Sequence, residues 1–219
     1  MWYNVFHSSS FITRMRRLCV CNARTISNQI FYFRVMGGDR YFIDDQHSTY
    51  FLTFTVIDWV DIFTRKDYKY IITDSLNYCI KEKGLECFAW VLMSNHMHLV
   101  ARAVPPFRLS DIIRDFKKVT SKKIAETIQT INESRKEWLL HKFEYAAKST
   151  GRAKYYKVWQ DSNHAICVEG DSPRFRQRID YTHQNPVRQM IVDSPEKYLF
   201  SSAVDYWGNQ GLVKVTIAY

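Results

Sequence analysis

The chain lacks most of the features that would assign it at a glance. No run of about 18 apolar residues occurs anywhere in its 219 residues, so no membrane span is expected. Its five cysteines, Cys19, Cys21, Cys79, Cys87 and Cys167, are odd in number, scattered and free of any Cys-x-x-Cys pair. That pattern argues against a disulfide or zinc framework and suits reduced thiols in a cytoplasmic protein. Asp and Glu are absent from the first 38 residues, which carry Arg14, Arg16, Arg17, Arg24 and Arg34 and the run Ser8-Ser9-Ser10. An acid-free, Arg- and Ser-containing leader has the composition of an organellar presequence, but no apolar core with a small-residue cleavage site marks it as secretory. Orderly patterning begins at Tyr41. Residues 1–36 are therefore expected to lie outside the fold, with Met36 a working start and 37–219 one domain. Internal repeats and low-complexity tracts are also missing.

What is present folds. Hydrophobic residues make up 46% and aromatics 16%, well above the range of a disordered chain. The formal charge, 31 − 22 = +9, calls for an anionic partner, with nucleic acid the first candidate and a basic enzyme without a polymer ligand the alternative.

Periodicity gives the elements. Residues 49–57 alternate as a strand, and 67–83 carry apolar residues at helical spacing, closed by Gly84. Residues 85–93 and 96–104 read as a hairpin turning at Ser94-Asn95 and ended by Pro105-Pro106. A long helix capped by Ser110 follows, with Ile112, Ile113, Phe116, Val119, Ile124, Ile128 and Ile131 on one face. Its other face carries Arg114, Lys117, Lys118, Lys122 and Lys123, either a solvated stripe or a row of phosphate contacts. A helix over 133–148 ends at Gly151, and 155–159 and 165–168 are short extended pieces. Ser172-Pro173 opens a last helix, which Pro186 is expected to stop, and Ser194-Pro195 starts a short turn in the tail.

Two features carry chemistry. His96 and His98 stand two apart on a strand, so both imidazoles share one face, roughly 6–7 Å apart at Cα, while Met97 points the other way. Two buried imidazoles cost desolvation unless something satisfies them. On the last helix Tyr181 and Asn185 are one turn apart on the same side.

The segment Val91-Leu-Met-Ser-Asn-His-Met-His-Leu-Val100, followed by Asp180-Tyr-Thr-His-Gln-Asn-Pro-Val-Arg188, resembles the single-tyrosine HUH transposases. It is most similar to the REP-associated tyrosine transposases and their insertion-sequence relatives. The likeness runs over residues 41–207 and includes the stretch Ser194-Pro-Glu-Lys-Tyr-Leu-Phe-Ser-Ser202. It implies an α+β, ferredoxin-like (RRM-like) antiparallel sheet with helices on one face and a C-terminal helix bearing the tyrosine. It implies that Tyr181 is the nucleophile and that His96 and His98 bind Mg²⁺ or Mn²⁺. Asn185 stands where relatives supply a third ligand, with His183 and Gln184 as competitors. Cleavage would leave a 5′-phosphotyrosine on single-stranded or hairpin DNA, with Arg188 and the basic stripe as DNA contacts. Both a monomer and a homodimer with a shared helix fit the pattern. The rival readings are a catalytically inactive transposase that only binds DNA, and a metallohydrolase. Against the latter, Leu99 to Arg102 supply neither the Asp nor the further His that a His-x-His-x-Asp-His motif needs.

Overall fold

A computed structural model describes residues 42–218 except 152, 169 and 171. The acid-free leader lies outside the described residues. The chain runs β1 (Tyr50–Thr55), α1 (Lys66–Glu82), β2 (Leu85–Leu92), β3 (His96–Ala103), α2 (Leu109–Thr130), α3 (Lys136–Thr150), β4 (Ile166–Cys167), α4 (Pro173–Arg188) and the short α5 (Ala203–Tyr206). The strands form one antiparallel sheet in the order β2-β3-β1-β4, the ferredoxin-like arrangement, with α3 as an additional helix before a two-residue β4.

Strand parity divides the interior in two. Leu52 and Phe54 of β1, Trp90 and Leu92 of β2, and Met97 and Leu99 of β3 pack against α1 and α2 in the main core. Phe51, Phe88, Ala89 and Val100 point to the opposite face and meet Phe175 and Ile179 of α4. A register shift between Cys87 and Ala89 turns both Phe88 and Ala89 towards α4. The outer edge of β2 is covered by the tail, where the Leu92 N–H donates to the Phe200 carbonyl at 2.9 Å and the Ser202 N–H to the Trp90 carbonyl at 3.0 Å.

The hairpin turns at Ser94-Asn95 as its sequence requires, closed by the Met93 N–H donating to the His96 carbonyl at 2.8 Å. Gly84 (φ +65°) follows α1 and Gly151 (φ +63°) follows α3, each in the left-handed conformation that glycine adopts at little cost.

Three details differ from expectation. Val119 is exposed, because the buried stripe of α2 continues instead through Thr120 and Ser121, whose hydroxyls accept the Trp159 Nε1–H and the Val158 N–H. The third helix starts at Lys136, not 133. Glu133 is instead a buried carboxylate held by Arg65, Arg135 and the Tyr68 hydroxyl. Pro186 does not stop α4, which runs on to Arg188. Termination falls to Met190 (φ +56°), with the Ile191 N–H on the Pro186 carbonyl and the Met190 N–H on the Val187 carbonyl, a Schellman closure without glycine.

Candidate active site

The site is built on the α4 side of β3. The register aligns Thr53 with His98 and Thr55 with His96, so β1 presents hydroxyls beside both imidazoles. His96 and His98 are both buried, with ring centres 4.9 Å apart. The Asn95 side-chain oxygen lies 2.7 Å from His96 Nδ1. An amide oxygen only accepts, so Nδ1 carries the proton and Nε2 keeps its lone pair. His98 Nδ1 lies 2.9 Å from the Thr53 hydroxyl, which can accept in the same way. Burial lowers the pKa of His96. Burial, His96 and Arg178 together push that of His98 down to about 3. Both rings are thus neutral at physiological pH.

Helix α4 brings the tyrosine. Ser172 caps it, its hydroxyl accepting the Phe175 N–H at 3.1 Å, and Pro173 occupies the first turn. Phe175 and Ile179 anchor the helix on the sheet, which leaves Tyr181 half-buried at its rim. The Tyr181 ring centre is 5.3 Å from that of His98. Phe51 joins the two, stacked on His98 at 5.2 Å and edge-on to Tyr181 at 5.8 Å. Arg178 lies over Phe51 at 4.9 Å and Arg188 over Tyr181 at 5.1 Å, so two guanidinium groups border the aromatic cluster.

Among the three residues competing as a further ligand, His183 is turned elsewhere. Its Nε2 lies 2.8 Å from the Ser202 hydroxyl and its ring packs on Tyr206, and burial pushes its pKa down to about 4. Gln184 is exposed. Asn185 is buried, its side-chain oxygen accepting only a long 3.4 Å bond from Gln189. Among the described residues no cluster of three or more His, Cys, Asp or Glu exists. The donors that fit a cation are therefore the two neutral imidazoles, each held from behind at Nδ1, with the Asn185 side-chain oxygen as a further candidate.

The basic stripe of α2 is less open than its sequence suggests. Lys117 turns inward, donating to the carbonyls of Gln160 and Ser162 at 2.7 and 3.3 Å, and burial pushes its pKa down to about 8. Arg114 is paired with Asp111 and Asp115, and Lys122 with Glu126. Lys118 and Lys123 remain as exposed cations. The stripe also belongs to a helix on the opposite face of the sheet from the histidines.

Sequence reasoning reached only Arg188 of a stronger feature and passed over its other three arginines. Helix α4 carries Arg174, Arg176, Arg178 and Arg188 against the single Asp180, and no ion pair engages those four arginines among the described residues. The spacing Arg-x-Arg-x-Arg was legible. So was Phe51, two residues before Thr53 on a strand that had to pair with the histidines.

Residues 46–161 match the model of the family described as "Transposase IS200 like", which covers just over half of the chain. The chain belongs to the IS200-like transposase family. Within this family member, the matched residues include the histidine strand and end before α4. Among solved structures, the transposase is similar to a REP-associated tyrosine transposase bound to a REP hairpin. Identity is 16%, with a TM-score of 0.51 over 83% of this chain and 92% of that one, a likeness of fold. A candidate transposase from Deinococcus radiodurans R1 aligns at 17% identity and a TM-score of 0.41, over 68% of this chain and 97% of that one. Among curated proteins, none matches the chain. No helix among the described residues is long and apolar enough to cross a membrane.

Proposed function

We propose that this transposase cleaves and rejoins single-stranded DNA through a covalent bond to Tyr181. The observation that carries this reading is the convergence of Tyr181, His98 and His96 on one face, with ring centres 5.3 and 4.9 Å apart in sequence. The Tyr181 oxygen attacks a backbone phosphorus and the P–O3′ bond breaks. The departing 3′ oxygen takes up a proton, leaving a free 3′-OH and a 5′-phosphotyrosine. Phosphodiester energy is kept, so a second 3′-OH can displace the tyrosine and reseal the strand without ATP.

A phenol with an ordinary pKa near 10 is a poor nucleophile at neutral pH, so proximity and charge must help it. Helix α4 holds the phenol at the rim of the aromatic cluster, and Arg178 and Arg188 offer guanidinium groups to an arriving phosphate. His96 and His98, with Asn185 as the third donor, would hold Mg²⁺ or Mn²⁺. A divalent ion bound there would polarise the phosphate oxygens. Hairpin or palindromic DNA is the proposed substrate class, consistent with the REP hairpin held by the fold relative.

The test uses the protein with Mn²⁺ and a hairpin-bearing single strand labelled 3′ of the cut. A protein–DNA adduct that survives denaturation is expected, lost on chelation and in His96→Ala or His98→Ala, while DNA binding persists. Cutting without any adduct would point to a hydrolase. Binding without cutting would point to a DNA-binding protein that has lost its chemistry.

A further inference from the structure

Beside the histidines stands a residue for which the fold has no evident use. Trp59 closes the short turn Ile57–Trp59 after β1 and is 60% exposed, although its indole is the largest apolar surface a side chain offers. Two consecutive residues of this turn, Asp58 (φ +50°) and Trp59 (φ +55°), adopt the left-handed conformation without being glycine. For a residue with a Cβ that conformation is strained and persists only where surrounding structure enforces it.

That enforcement is visible. The Trp59 N–H donates to the Val56 carbonyl at 3.1 Å and the Val60 N–H to the Ile57 carbonyl at 3.2 Å. Lys142 of α3 holds the Asp58 carboxylate at 2.6 Å, with its ammonium 5.6 Å from the half-exposed Trp138 ring. Asn95 adds a link, long on one side and short on the other. Its amide nitrogen donates to the Trp59 carbonyl at 3.4 Å while its oxygen accepts from His96 Nδ1 at 2.7 Å. One side chain thus fixes both the candidate ligand and the indole-bearing turn, and the indole stands 6.3 Å from the His96 ring.

A lone exposed aromatic on relaxed backbone would need no explanation. A tryptophan held in solvent by strained backbone, tied through one amide to a candidate catalytic histidine, is different. We infer that Trp59 is a stacking platform for the nucleobase next to the scissile phosphate of a single strand. The inference rests on the strand-cleavage reading above and adds the contact that would hold the DNA beside the histidines. Stacking on an indole needs only a π-face, so the platform accepts any base and favours the larger purines. With one nucleobase immobilised there, the adjoining phosphate would be presented to His96, His98 and Tyr181 at a set distance.

The experiment compares the binding of oligodeoxyadenylate with that of an abasic oligonucleotide of equal length, in the full-length protein and in Trp59→Ala and Trp59→Phe. Trp59→Ala should reduce the preference for the base-bearing strand by roughly 5- to 150-fold, the worth of one stacked base. Trp59→Phe should retain much of that preference, and the affinity for the abasic strand should stay within about twofold. A merely structural role would weaken both strands alike. An unchanged preference in Trp59→Ala, or an equal loss for both strands, overturns the inference. Failure of the unmodified protein to bind either strand overturns the strand-cleavage reading and this inference with it. Normal binding without a Tyr181 adduct counts against the chemistry alone.

Discussion

The two faces of the sheet use the same strands at opposite parity, yet they differ in kind. Towards α1 and α2, β1 and β3 present Leu52, Phe54, Met97 and Leu99, which join one large apolar cluster, with the Lys117 ammonium 5.1 Å from the Phe54 ring at its margin. Towards α4 the same strands present Phe51, Thr53, Thr55, His96 and His98. Both sides of β3 are buried from His96 to Ala101, so its polar–apolar alternation is not the usual division between solvent and core. Polar groups were placed where apolar ones would have packed at less cost. In the proposed mechanism that asymmetry makes the α4 face the working one and the other the scaffold.

Neighbours on β3 allow that contrast to be broken directly. His98→Ala should lower strand cleavage by roughly 10²-fold or more while the protein stays folded. Leu99→Ala, one residue on and facing α1 and α2, should instead cost about 2–5 kcal/mol of stability, read by denaturant unfolding, with cleavage by the remaining folded protein preserved. Equal effects on both properties from both variants would erase the distinction between the faces.

Acid should loosen the working face first. His183 is buried and neutral, its pKa pushed down from an ordinary value near 6.5 to about 4. The unfolded chain therefore binds its proton more readily. Stability from the neutral ring is present above about pH 6.5 and is lost as pH falls towards about 4, by on the order of 3 kcal/mol. Melting temperature followed across that window should fall less steeply in His183→Gln. An identical slope would assign the acid sensitivity elsewhere.

Charge gives the smallest and most specific comparison. Replacing Arg174, Arg176 and Arg178 of α4 with Gln should flatten the salt dependence of single-strand binding by about 0.7 units of slope per lost phosphate contact. Replacing Lys118, Lys122 and Lys123 of α2 should flatten it less, because Lys122 is paired with Glu126 and α2 lies across the sheet from the histidines. The reverse ranking would make the α2 face the principal DNA surface.

Much of this organisation could be read in the sequence, because it follows from short-range rules. Alternation at His96-Met97-His98 placed the imidazoles together, Ser94-Asn95 turned the hairpin, and Ser172-Pro173 opened α4. Most of the mistaken points depend on contacts distant in sequence, and one on a local helix closure. The inward turn of Lys117 depends on carbonyls more than 40 residues away. Glu133 left the helical pattern because Arg65 and Tyr68 arrive from α1 and the residue before it. The passage of α4 through Pro186 reflects a closure formed by Met190 and Ile191. Likewise, the pattern Arg-x-Arg-x-Arg gains meaning only once α4 is seen to lie on the histidine face.

The central claim is that Tyr181 is the nucleophile, and one substitution addresses it with the least disturbance. Tyr181→Phe removes a hydroxyl that no other described residue hydrogen-bonds and keeps the ring that packs on Phe51 and His98. With Mn²⁺ and a hairpin-bearing single strand, the unaltered protein should form an adduct whose peptide map ends on Tyr181. The Phe variant should melt at the same temperature, bind the strand equally well and form none. An adduct that persists in Tyr181→Phe, or that maps to Tyr155, Tyr156 or Tyr198, would contradict the account.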